Sequence, residues 1–171
     1  MTSRLRNDVN LRKNDRYDLL LFDFPDGFPN SKLKFTLGAT PRRITGVEKV
    51  VQVFLKCLTT RRGSDVINTS LGTDFQDFMQ YSNVGTYSTS EAKSAIEVSV
   101  KSAVDQAKNI LNSNKYSLES QMDSVEVLDA RQGDEYTIVQ LRVLTKAGKS
   151  APISVPFTST GMVFNAWVND V

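Results

Sequence analysis

Hydrophobic positions along this chain follow two rhythms. The clearest is helical. Val47, Val50, Val51, Phe54, Leu55 and Leu58 recur at i, i+3, i+4, i+7, i+8 and i+11, which is one face of a helix. Thr45 and Glu48 make a candidate capping box at its start, each side chain satisfying an orphan amide. Gly63 is placed to supply the left-handed residue that ends it, and Arg61 and Arg62 fall where the helix dipole favours cations. A second stripe runs through Ala92, Ile96, Val100, Ala103, Val104, Ala107, Ile110 and Leu111. Ser88 with Glu91 opens it as another capping box, and residues 112–114 end it. Residues 74–80 suit a short helix, followed by a polar loop over 81–88.

The other rhythm has period two. Val125 and Val127 flank Glu126. Thr137, Val139, Leu141 and Val143 share one face against Gln140 and Arg142. Ile153, Val155 and Phe157 alternate with Pro152, Ser154 and Pro156. Turn residues at 131–135 and 146–149 connect these runs into a three-stranded meander. Pro152 and Pro156 remove two amides from the same side of the last strand, which predicts a sheet edge.

Upstream, residues 17–24 read as a short buried strand broken by P-D-G-F-P-N. Leu33, Phe35 and Leu37 alternate with polar residues as a half-exposed strand or arm. Residues 1–16 are polar and mixed in charge, a mobile or partner-bound arm. The expected fold class is α+β: a single domain with two main helices packed on a small antiparallel β meander, plus extended N- and C-terminal arms. Its expected divisions are an N-terminal arm and strand region (1–40), an α+β domain (41–157) and a C-terminal tail (158–171).

Composition narrows the function classes. With 171 residues, 40% of them hydrophobic, there is enough chain for a real core. A formal net charge of +2 gives no global field for nucleic acid. No histidine is present, which removes Ser-His-Asp and Cys-His catalysis and histidine-based zinc sites. The one cysteine, Cys57, borders an apolar helix face and reads as a buried structural thiol. No apolar run approaches the roughly 20 residues that span a bilayer, and the N-terminus lacks the apolar core of a secretory signal. Neither a nucleic-acid nor a membrane partner is expected.

Candidate chemistry is sparse. Glu48, Glu91, Glu97 and Glu119 could pair for glycoside hydrolysis, but capping and solvated roles suit each better. Asp65, Asp74 and Asp77 lack calcium-loop spacing. Arg61 and Arg62 could grip a phosphate, although helix-end and protein contacts are favoured. The glycines form no phosphate-cradling motif. No cofactor, metal or catalytic residue is assigned.

One block carries a resemblance. K-V-V-Q-V-F-L-K-C-L-T-T-R-R-G-S-D, followed by N-T-S-L-G-T-D-F, resembles a family signature: an amphipathic helix, a Leu-Thr-x-x-Gly turn, then Leu-Gly-x-x-Phe. The family is that of the small, lysozyme-like baseplate wedge or sheath-initiator proteins of contractile phage tails. The likeness covers roughly residues 40–157, with a long helix and a β meander in the expected order. It implies a virion protein of the tail baseplate, assembled in the host cytoplasm and present in multiple copies around the tail axis. Its implied partners are the tail sheath protein, baseplate wedge proteins, and tail tube or tube-initiator proteins. The implied action is to template the sheath by accepting added strands. The family's Glu-Pro-Arg element is missing, because residues 118–125 read L-E-S-Q-M-D-S-V.

On that resemblance the candidate contact residues fall into two groups. The loop 61–72, with Arg61, Arg62, Asp65 and Asn68, is expected to meet wedge or tube. Edge strands over 136–145 and 151–157, with Tyr136, Ile138, Gln140, Arg142, Ile153, Val155 and Phe157, are expected to meet sheath. Phe164 and Trp167 of the tail join them. The alternatives are a baseplate peptidoglycan hydrolase of lysozyme type, or a tail completion or adaptor protein elsewhere in the virion.

Overall fold

The structure is a computed structural model that describes residues 18–19, 22–23, 34–35, 43–81, 89–112, 116–132, 137–158 and 161–162. Short strands come first: β1 (Asp18–Leu19), β2 (Phe22–Asp23), β3 (Lys34–Phe35) and β4 (Arg43–Ile44). Three helices follow, α1 (Gly46–Thr59), α2 (Phe75–Tyr81) and α3 (Thr89–Leu111). A 3-10 turn (Leu118–Ser120) then leads into β5 (Met122–Gln132), β6 (Thr137–Thr145), β7 (Ser150–Thr158) and β8 (Gly161–Met162). The fold is α+β, with the helices packed on an antiparallel sheet.

The meander β5–β6–β7 is present, and the two-residue β8 adds a fourth strand in the order β5-β6-β7-β8. The 17–24 strand appears as two fragments. β1 pairs with β4, and β2 pairs with β3, both antiparallel and both outside the main sheet. The arms 1–17 and 163–171 lie outside the described residues, as do Ser88, Tyr136, Phe164 and Trp167.

The core sits between the helices and one face of the sheet. Phe54, Leu55 and Leu58 of α1 meet Ile96, Ala103 and Ala107 of α3 above Val139, Leu141 and Val143 of β6. Ala151, Ile153 and Val155 extend that face along β7. Of the predicted α3 stripe, Ile110 is exposed, while Leu111 turns inward. Burial on α1 exceeds its apolar stripe: Cys57, Gln52 and Lys49 are buried too, with the Lys49 ammonium 4.1 Å from the centre of the Tyr116 ring. Coverage beyond the apolar stripe, with only Lys56 exposed, marks α1 as the central helix of the domain.

Helix ends depart from expectation. Thr45 is extended (φ −146°, ψ 174°) and its side chain makes no cap bond. The chain enters α1 through Gly46 at φ +63°, which turns Thr45 away from the first turn. The Gly46 N–H instead donates to Ser120 Oγ at 2.9 Å, buried and 74 residues distant. At the other end α1 stops at Thr59, with extended Thr60 beyond it. Gly63 does take positive φ (79°), but in the next turn rather than at the helix end. Arg61 and Arg62 lie beyond that end and pair with Asp77 and Asp74.

Asn112 ends α3 and clamps the sheet. Its Nδ2 donates to the Met122 carbonyl and its Oδ1 accepts the Met122 N–H, each at 2.9 Å. The side-chain amide thus stands in for a neighbouring strand at the start of β5.

Candidate docking loop and sheet edges

The loop between α1 and α2 is built on a rigid base. Thr73 N–H donates to the Thr60 carbonyl (2.9 Å) and Arg62 N–H to the Thr73 carbonyl (3.2 Å), closing the loop by a short parallel bridge. Thr73 Oγ1 donates to the Leu58 carbonyl and accepts the Phe75 N–H. Gln106 of α3 holds Gly72 on both sides, accepting its N–H (2.7 Å) and donating to its carbonyl (2.8 Å). Gly72 has φ +104°, and a Cβ there would run into the Thr60 carbonyl. Leu71 and Phe75 are core residues. The Leu-Gly-x-x-Phe pattern is thereby accounted for as the loop's anchor.

The two arginines brace that base. Arg61 Nε lies 3.0 Å from Asp77 Oδ1, and Arg62 Nε 3.3 Å from Asp74 Oδ1. Both pairs are substantially exposed, so they orient the loop more than they stabilise the fold.

The tip is ordered by its own polar side chains. Asp65 Oδ1 accepts the N–H groups of Ile67 and Asn68, each at 2.9 Å. These two bonds, that from Asn68 first, hold the Asp65 carboxyl below its ordinary range; Lys56 adds a smaller push. Asn68 accepts the Ser70 hydroxyl at 2.7 Å, and its carbonyl accepts the Leu71 N–H. Asp65 and Asn68, expected as contact residues, are therefore occupied in shaping the turn. What the turn presents is Val66 and Ile67, 95% and 98% exposed. Sequence reasoning passed over this pair. The available signal was two aliphatic residues between turn-forming Asp and Asn, where polar residues are the rule.

The sheet places the other expected contacts unequally. Strand β6 pairs with β5 on one side and β7 on the other, so residues 137–145 are central and not an edge. The expectation of an edge there is corrected: the cross-strand hydrophobic pattern is equally compatible with both positions. Ile138, Gln140 and Arg142 lie on the face away from the helices, and Arg142 pairs with Glu126 at 3.2 Å. Ile153 and Val155 point into the core.

Strand β7 is bounded by β8 only at Phe157 and Thr158. Thr145 N–H donates to the Lys149 carbonyl, and antiparallel pairing alternates from there. Ala151, Ile153 and Val155 thus bond β6, while Ser150, Pro152, Ser154 and Pro156 aim their backbone groups outward. Among the described residues that stretch has no outer neighbour, as the prolines predicted, and two of its four donors are missing. The β5 edge is blunted differently, by the Asn112 clamp, by register shifts near both Met122 and Val127, and by Asp129, whose Oδ1 takes the Ala130 N–H. Alongside it runs an apolar groove of about 340 Å³ between α3 and β5, floored by Val100, Val104, Val125 and Val127.

The carboxylates are dispersed in role. Glu97 is exposed. Glu119 pairs with Lys149 at 2.9 Å, and its carboxylate stands beside Gly46. Within the 3-10 turn 118–120, Ser120 meets the first amide of α1. Cys57 is fully buried, and burial pushes its thiol from an ordinary 9.0 up to about 11. Among the described residues no cluster of three or more potential ligands could hold a metal, and no helix is long and apolar enough to cross a membrane. No family model matches the chain, and no curated protein matches it either.

Proposed function

We propose that this protein is a non-enzymatic structural component of a contractile tail baseplate that initiates the sheath. The observation that carries the reading is the loop between α1 and α2. The segment bearing the family resemblance is braced by two arginine pairs and a Gln106 clamp, yet it exposes an aliphatic pair that folding does not need. A rigid apolar projection suits assembly with other chains.

On this reading the loop docks on a neighbouring baseplate chain, with wedge and tube proteins as the surrounding partners. The sheath protein adds a strand to the outer side of β7, near the C-terminal tail. The carbonyls there remain acceptors, and the missing proline amides discourage pairing between copies. Several copies surround the tail axis in the virion.

The test is assembly in a reconstituted baseplate. Removing residues 158–171 is expected to leave the domain folded and to abolish sheath polymerisation on baseplates. Normal sheath assembly by the truncated chain would remove the tail, β8 included, from the proposed contact.

A further inference from the structure

No further inference is drawn: the strongest candidate, the apolar groove between α3 and β5 floored by Val100, Val104, Val125 and Val127, carries none, because nothing in the structure shows what covers it.

Discussion

At the residue scale, Ser120, Gly46 and Cys57 decide how the domain holds its first helix. Thr45 makes no side-chain cap bond, and Ser120 supplies an acceptor to the first helical amide, that of Gly46, from another element. Ser120→Ala strands a buried amide, with an expected loss of about 1–3 kcal/mol in urea unfolding. Gly46→Ala meets no steric obstacle, but it forces a left-handed alanine and should cost about 1–2 kcal/mol. Cys57 offers a pH test. Its folded pKa is raised, so the unfolded chain loses that proton first. The stability it contributes is complete below pH 9.0 and falls as pH rises through about 11. Thiol reagents at pH 8 should leave native Cys57 unmodified and label it on unfolding; rapid native labelling would contradict its burial. The sequence placed Cys57 correctly, because its neighbours on the helix are apolar. It could not place the α1 cap: Thr45 and Glu48 have the right spacing, yet Thr45 makes no cap bond, and the Gly46 amide is met by Ser120, which only the tertiary fold brings there.

At the element scale, the two main helices and the meander were legible because their periodicity extends over many residues. What was not legible is neighbour choice. The pattern of β6 alternates cleanly, yet alternation fixes which face is buried and not which strands lie alongside. Pro152 and Pro156 were informative for the opposite reason, since a missing amide constrains pairing directly. Replacing Pro152 with Thr restores a donor on the outer side of β7. Concentration-dependent aggregation is expected, read by light scattering at constant secondary structure. The loop between α1 and α2 was legible in part. Its glycine and arginines stood out, while Gln106, 34 residues further on, carried no signal that it would hold Gly72. Gln106→Leu should cost about 1–3 kcal/mol and speed proteolytic cutting between residues 64 and 70. Unchanged cutting would mean that the loop's own turn suffices to order it.

At the scale of the whole molecule, the domain is a two-layer body with projections and edges but dispersed carboxylates. Its proposed work is assembly. Incubated with permeabilised bacterial cells, it is expected to leave turbidity unchanged. Clearing that disappears on changing Glu48, Glu97 or Glu119 to Gln would replace the assembly reading with a hydrolytic one. The cross-link between Ser120 and Gly46 has a further consequence, for the order in which the chain acquires structure during synthesis. Helix α1 begins in the first third of the chain, and an isolated helix of its length is marginal in water. Its starting amide finds its acceptor only after 74 more residues have left the ribosome, with the sheet still to follow. The central helix is thus completed late, by a contact of long sequence separation, and the docking loop that hangs from its far end is set only when the domain closes.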